Sequence, residues 1–254
     1  MTVDTRQRLF VRTSLSAGAT VDLDPAQTNY LVNVLRMTPG ESVAVFNGRD
    51  GEWKATLVER RRRSFALTAE RQDRAQTERP DLYYLFAPLK QGRLDYMIQK
   101  AVEMGAGMMT PVLTQHTQVS RLNTERMEAN AIEAAEQCGL LSIPQIDEAI
   151  PLGQLLDAWP EVEPERRIVY CDEAAPMADP VAALGAITER KVAVLIGPEG
   201  GFSAEERTRL RALPFVTPIR IGPRVLRADT AAVAALALVQ ATLGDWRATR
   251  NQTI

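Results

Sequence analysis

The chain has 254 residues, of which 45% are hydrophobic and 24% charged, and its formal net charge is −2 at pH 7. This composition fits a globular protein with one large domain or two modest ones, and the charge balance carries no overall basic signature. The only histidine is His116, and the only cysteines are Cys138 and Cys171. A histidine-based zinc site, a Ser-His-Asp triad on a Gly-x-Ser-x-Gly turn and a disulfide framework are therefore not expected. No P-loop, no Gly-x-Gly-x-x-Gly motif, no signal-peptide core and no membrane-length apolar run is present, so the cytoplasm is the expected compartment.

The first part of the chain predicts a small β-barrel. Turn signals such as Pro39-Gly40 separate short apolar runs, which predict strands at Arg8–Val11, Ser42–Phe46, Trp53–Val58 and Ser64–Ala69. A short helix is expected within Asp24–Arg36. The basic run Arg60–Arg63 suits either phosphate contacts or a solvated strand end, and the polar stretch Arg71–Pro80 predicts a linker.

From Leu82 onward, strands and helices are expected to alternate. The predicted strands are Leu82–Ala87, Met109–Leu113, Arg167–Cys171, Val192–Ile196 and Val216–Ile221. The predicted helices are Arg93–Met104, Thr124–Cys138, Pro180–Ile187, Ala204–Leu213 and Thr230–Leu243. Such alternation predicts a parallel sheet with helices on both faces. The last helix is apolar nearly all round, which predicts burial in the core or in a subunit contact.

A glycine-rich loop follows the apolar strand Val192–Ile196. Its sequence is Gly197-Pro198-Glu199-Gly200-Gly201-Phe202-Ser203, and Ser203 with Glu206 has the spacing of a capping box. Glycine lets a ligand approach the backbone closely, and loops at the carboxyl ends of parallel strands commonly bind ligands. A tight strand-to-helix turn without a ligand is the alternative.

A second loop of related character follows the next strand. It reads Gly222-Pro223-Arg224-Val225-Leu226-Arg227-Ala228-Asp229-Thr230-Ala231 and leads into the alanine-rich last helix. If the two strands are adjacent and parallel, both loops lie at the same edge of the sheet.

The two loop sequences together resemble those of the RsmE family of 16S rRNA (uracil-N3)-methyltransferases, which belongs to the SPOUT superfamily. Further matches are Arg8-Leu9-Phe10, Val34-Leu35-Arg36, Lys90 with Gln99–Gly105, and Glu133–Gln137. The resemblance implies an α/β protein with a PUA-like, RNA-binding β-barrel over residues 1–73. It also implies a SPOUT domain over residues 80–248, with a deep trefoil knot that binds S-adenosylmethionine and forms a homodimer.

The implied reaction moves a methyl group to N3 of a uridine in 16S rRNA of the small ribosomal subunit. Arg227 is the candidate cation beside uracil O2 or O4, and Asp229 or Glu199 is the candidate proton acceptor. The candidate cofactor residues are Leu195, Gly197, Pro198, Glu199, Gly200, Gly201, Ile221, Gly222, Pro223, Val225, Leu226 and Ala231. A third loop, Asp172–Ala175, is expected to join them. The candidate RNA-binding residues are Arg8, Arg36, Lys90 and Lys100.

Two departures from the family pattern bear on individual residues. Leu140 stands where a basic residue is usual, and Asp229 replaces a longer glutamate. Two alternative functions stay open: another SPOUT methyltransferase acting on tRNA or on a ribose hydroxyl, or a non-catalytic RNA-binding protein. No metal site is expected.

Overall fold

The computed structural model describes residues 7–61, 64–119, 121–176 and 179–247. The chain divides into two compact units. One comprises Met1–Glu78 and Ala135–Ile143, and the other comprises Arg79–Ala134 and Pro144–Ile254. Within the described ranges, no helix combines the length and the apolar character that crossing a membrane requires.

The first unit contains a five-stranded sheet with the order β1-β3-β4-β5-β2. The strands are β1 (Arg8–Phe10), β2 (Thr20–Asp22), β3 (Ser42–Phe46), β4 (Glu52–Arg61) and β5 (Ser64–Arg74). The pair β1–β3 is parallel, and the other pairs are antiparallel. The four predicted strands are confirmed. The short strand β2 was not predicted, because only Val21 among its three residues is apolar and buried.

The predicted linker is wrong in its first part. Strand β5 continues to Arg74, because its exposed polar end still pairs with β4. Of the basic run Arg60–Arg63, Arg62 and Arg63 lie outside the described residues, while the Arg60 guanidinium binds the Asp22 carboxylate at 2.8 Å.

The predicted helix of the first unit is confirmed in two parts. Helix α1 (Pro25–Thr28) begins with a capping box between Asp24 and Gln27, and a π-helical turn over Asn29–Val34 follows it. The turn buries Leu31 in the core of this unit. Arg36, which follows the C-cap residue Leu35, has a φ of +57°, a left-handed conformation that is unusual for a residue with a side chain.

The second unit contains a seven-stranded sheet in which every described strand pair is parallel. Its strands are β6 (Leu82–Phe86), β7 (Ala106–Leu113), β8 (Gln145–Ile146), β9 (Ile150–Pro151), β10 (Arg166–Cys171), β11 (Lys191–Ile196) and β12 (Val216–Ile219). Its helices are α2 (Gln91–Glu103), α3 (Thr124–Cys138), α4 (Leu152–Val162), α5 (Pro180–Gly185), α6 (Ala204–Ala212) and α7 (Ala228–Thr242); α3 continues into the first unit's residues. The predicted strands and helices of this region are confirmed within a few residues. Helix α4 was missed because Gly153 and Pro160 interrupt its pattern, although Leu152, Leu155, Leu156 and Trp159 share one buried face.

The sheet order β12-β10-β11-β6-β7-β8 corrects one expectation. Strands β11 and β12, which precede the two glycine-proline loops, are not neighbours, because β10 lies between them and pairs with both. All three strands are parallel, so their loops still leave the same edge of the sheet. Helix α7 packs against α2, α5 and β11 and buries one stripe of residues: Ala228, Ala232, Ala235, Leu236, Val239 and Gln240.

Candidate functional site

Three loops of the second unit converge at the carboxyl edge of the sheet. They follow β10, β11 and β12 and begin at Asp172, Gly197 and Arg220. Residues from these loops, from the first turn of α2 and from the start of α7 line a cavity of about 460 Å³. This volume lies within the usual range for small-molecule sites, and its position is where open parallel sheets bind ligands.

The glycine-rich loop packs tightly over an aromatic side chain. The buried Phe202 ring meets Tyr170 edge-on, with the ring centroids 5.0 Å apart. A Cβ at Gly197 would lie 2.4 Å from a Phe202 ring carbon, so only glycine fits there. The loop closes with a hydrogen bond from the Gly201 amide to the Pro198 carbonyl at 2.9 Å, and Gly201 has a φ of +68°. The predicted capping box of Ser203 and Glu206 is confirmed at the start of α6.

The loop after β12 is less tightly packed than the glycine loop and exposes several side chains. Gly222 has a φ of +78°, and Val225 is 82% exposed at the cavity wall. Arg227 is the N-cap residue of α7, but its side chain makes no capping hydrogen bond. Within the described residues no ion pair engages Arg227, although it lines the cavity.

Asp172 connects the three loops through hydrogen bonds. Its side chain is fully buried, and its carboxylate accepts hydrogen bonds from Arg207 at 2.9 Å and Arg211 at 2.8 Å. The backbone amide of Asp172 donates to the Ile219 carbonyl at 2.9 Å. Arg207 also donates to the Phe202 carbonyl at 3.0 Å and pairs with Glu173. The hydrogen bond to Glu173 raises the pKa of Arg207, so the guanidinium keeps its charge.

Cys171 lines the cavity but is chemically protected. Burial, together with the charge of Asp172, raises the pKa of the Cys171 thiol to about 12. The thiolate is the reactive form of cysteine, so at neutral pH Cys171 should react far more slowly than an exposed thiol.

Alkylation of the native protein with iodoacetamide should therefore label the exposed Cys138 and leave Cys171 intact. We expect the rate at Cys171 to be lower by on the order of 100-fold, because its thiolate fraction is so small. Peptide mass spectrometry over time measures both rates, and denatured protein serves as the control in which both cysteines react. Comparable rates in the native protein would contradict this environment for Cys171.

The charged side chains that line the cavity differ in whether they form ion pairs. Arg93, from the first turn of α2, forms an ion pair with Glu199 of the glycine loop, and Glu173 is paired with Arg207. Arg227 is thus the cavity cation with no carboxylate partner within the described chain. Sequence reasoning assigned no role at the cavity to Arg93, Cys171 or Phe202, whereas Glu173 lies in the expected third loop. Two signals were available: the positive charge of Arg93 in the first turn of α2, and the position of Cys171 at the carboxyl end of β10.

The structure brings together most of the predicted cofactor residues. Those that line the cavity are Gly197, Pro198, Glu199, Gly201, Val225, Leu226 and Ala231. Ile221 and Gly222 line an adjoining cleft of about 70 Å³. Gly200 faces His116 on another side of the loop, Pro223 is exposed, and the Leu195 side chain is buried in the core instead of lining the cavity.

The two predicted catalytic residues differ in placement. Arg227 lines the cavity, whereas Asp229 does not, and its carboxylate accepts the Thr230 amide at 2.8 Å. Burial, with smaller electrostatic contributions from Cys171 and Asp229, raises the pKa of the Tyr84 phenol well above its usual range. The Tyr84 hydroxyl itself is buried without a hydrogen-bond partner in the described structure.

The predicted RNA-binding residues fall into two groups. Arg8 is only 10% exposed: it pairs with Glu52 at 2.6 Å, donates to the carbonyls of Ala135, Glu136 and Leu140, and stacks on Phe46. These contacts occupy its guanidinium, so the structure favours a stabilising role of Arg8 within the first unit over an RNA contact. Lys100 pairs with Glu103 at 2.7 Å, whereas Arg36 and Lys90 are exposed. Lys90 lies beside Pro198 and Glu199 of the glycine loop.

Two family models match the chain. One, described as an RNA methyltransferase domain, matches residues 77–240, and one described as an RNA methyltransferase PUA domain matches residues 23–70. A ribosomal RNA small subunit methyltransferase E from Synechocystis is 30% identical over 243 residues, covering 93% of this chain and 78% of that protein. A protein of the same name from Rickettsia conorii is 26% identical over 235 residues, covering 92% of this chain and 94% of that protein.

Solved structures are similar over nearly the whole chain. Ribosomal RNA small subunit methyltransferase E from Neisseria gonorrhoeae, solved with S-adenosyl methionine, has a TM-score of 0.81 at 25% identity, covering 94% of this chain and 99% of that one. A Legionella pneumophila protein solved in complex with the bound cofactor SAM has a TM-score of 0.78 at 29% identity, covering 94% of this chain and 98% of that one. The mixed α/β fold matches that of SPOUT methyltransferases. The chain therefore belongs to the RNA methyltransferase family of the ribosomal RNA small subunit methyltransferase E proteins.

Proposed function

We propose that this protein uses S-adenosylmethionine to methylate N3 of a uridine in 16S rRNA of the small ribosomal subunit. The observation that carries the proposal is the convergence of three loops on one cavity at the carboxyl edge of the parallel sheet. The names of the relatives support the small-subunit rRNA as substrate, and the two similar structures with bound cofactor support the donor.

The cavity fits a nucleoside-sized cofactor. Its volume of about 460 Å³ is bounded by backbone where glycines replace side chains, so a planar base and a ribose can approach peptide groups directly. Gly197, Pro198, Gly201, Leu226 and Ala231 would hold the adenosine, while Glu199 offers a carboxylate for its polar groups. The cofactor supplies an activated methyl group on a sulfonium, which needs positioning more than charge stabilisation.

The remaining chemistry belongs to the uracil. Its N3 becomes nucleophilic only after it loses a proton, and the resulting anion is stabilised by a cation at O2 or O4. Arg227 has the required charge at the cavity wall, and no carboxylate neutralises it within the described chain. Asp229 or, as the alternative, Glu199 is the proposed acceptor of the N3 proton, acting directly or through water.

Arg227→Ala should lower kcat by about 100-fold or more, because it removes a group that acts on developing charge. The dissociation constant for S-adenosylmethionine, measured by calorimetry, should stay within about threefold of wild type. Arg224→Ala, an exposed arginine of the same loop, is the matched control and should retain kcat. An equal loss of cofactor affinity and kcat in Arg227→Ala would point to a binding role only.

The rest of the protein is proposed to serve the RNA. We infer that residues 1–73 of the first unit form a PUA-like barrel, in which Arg36 contacts the RNA. We infer a knotted SPOUT domain over residues 80–248. Lys90 and Lys100 are the proposed contacts in the second unit, and helix α7 carries half-buried apolar residues outside its core stripe that suit a homodimer contact. An rRNA substrate fits a cytoplasmic enzyme that makes no membrane contact.

A further inference from the structure

The turn that follows β7 contacts the glycine loop outside the cavity, although β6 lies between β7 and β11 in the sheet. Strand β7 ends at Leu113, and the turn Thr114–Thr117 follows, closed by a hydrogen bond from the Thr117 amide to the Thr114 carbonyl at 3.1 Å. His116 Nδ1 lies 3.2 Å from the Gly200 carbonyl oxygen and 3.0 Å from the Gly201 carbonyl oxygen. Because both partners are acceptors, Nδ1 must carry the proton and donate to them.

The same turn holds the other end of the loop. The Gln115 amide donates to one Glu206 carboxylate oxygen at 2.9 Å, and the second oxygen accepts the Ser203 amide at 2.9 Å. A Cβ at Gly200 would lie 3.3 Å from the His116 Cβ, so a larger residue there would have to push the two segments slightly apart. The turn therefore fixes the loop at its glycines and at the start of α6.

The hydrogen bond from His116 to the Gly201 carbonyl also orients the N–H of Phe202. In a trans peptide the carbonyl and the following N–H point in opposite directions. When His116 holds the Gly201 carbonyl, the Phe202 N–H points away from His116, and it has no acceptor within the described chain. Gly201 and Phe202 both line the cavity, so a ligand bound there would lie near this N–H.

We propose that His116 is a positioning residue for the cofactor loop: its Nδ1–H orders the Gly200-Gly201 segment so that the Phe202 N–H can donate to the bound cofactor. Two adjacent glycines have large conformational freedom, and ordering them on binding costs free energy. His116 orders them before the ligand arrives, which should strengthen binding without entering the chemical step. This inference rests on the proposed function of the same site.

Three substitutions separate the role of Nδ1 from simple packing. An asparagine amide nitrogen can take the place of Nδ1, whereas a glutamine amide nitrogen takes the place of Nε2. We expect His116→Ala and His116→Gln to raise both the calorimetric dissociation constant and KM for S-adenosylmethionine by about tenfold, with kcat within about twofold of wild type. His116→Asn should stay within about threefold of wild type in all three quantities.

Equal cofactor affinity in wild type and His116→Ala would overturn the inference while leaving the proposed function intact, as would a loss confined to kcat. Failure of the wild-type protein to bind S-adenosylmethionine would instead overturn the proposed function. A spectroscopic test needs no variant: because His116 is the only histidine, its ring nitrogens give one set of signals in long-range ¹H–¹⁵N spectra of untagged protein. A protonated Nδ1 is expected, and a ring protonated only at Nε2 would contradict the proposal.

Discussion

Gly197→Ala is expected to damage both the cofactor site and the stability of the second unit. The added Cβ would lie 2.4 Å from the Phe202 ring, which is itself buried and packed edge-on against Tyr170. The ring must move, and overpacking of this kind costs about 1–3 kcal/mol. Its displacement also shifts the loop wall, so the dissociation constant for S-adenosylmethionine should rise by about 100-fold.

Thermal unfolding and cofactor calorimetry on the same preparations measure both effects. Gly92→Ala, in the first turns of helix α2, is the matched control, because a Cβ there meets no atom within 4 Å and glycine is the poorer helix former. The double variant Gly197→Ala with Phe202→Ala should lose less stability than the sum of the two single variants, because the clash no longer exists. Strict additivity would argue against contact between Gly197 and Phe202 as the cause.

Asp172→Ala is expected to destabilise the second unit by about 3 kcal/mol, at the lower end of the range for breaking a buried ion pair. The carboxylate is fully buried and serves both Arg207 and Arg211, and its removal leaves two guanidinium groups without their shared partner. Both arginine side chains are partly exposed to solvent, so water can solvate them in the variant and limit the loss of stability. A fall in the apparent Tm on the order of 10 °C follows for a chain of this size. Cofactor affinity should fall as well, because Arg207 also holds the Phe202 carbonyl.

An exposed ion pair of helix α6, which also carries Arg207 and Arg211, provides the control. Arg209 pairs with Asp157, whose side chain is 76% exposed, so Asp157→Asn should cost less than about 1 kcal/mol. Circular dichroism melts and calorimetry would compare the two variants. If Asp172→Ala melted within about 2 °C of Asp157→Asn, the central role of the buried carboxylate would be refuted.

The sequence was most informative where local chemistry determines the structure. Apolar runs such as Val192–Ile196 and the capping spacing of Ser203 and Glu206 reported the strand, the loop and the start of α6 directly. Helix α4 escaped prediction because Gly153 and Pro160 obscured a buried face formed by packing on the sheet.

Contacts between distant segments could not be predicted from local pattern. Strand order is set by long-range pairing, so nothing in the sequence placed β10 between β11 and β12. The Arg93–Glu199 pair and the approach of His116 to Gly201 join residues far apart in the chain. Arg8 carries a positive charge in a family motif, but only the folded structure shows that Glu52 and three carbonyls occupy it.

The most direct test of the central claim is transfer of a labelled methyl group to small ribosomal subunits, and to free 16S rRNA, from cells that lack this modification. Digestion to nucleosides should yield the label as N3-methyluridine at a single site, and Arg227→Ala should abolish most of it. Label recovered as a ribose 2′-O-methyl group or in tRNA, or no transfer by a protein that binds the cofactor, would contradict the account.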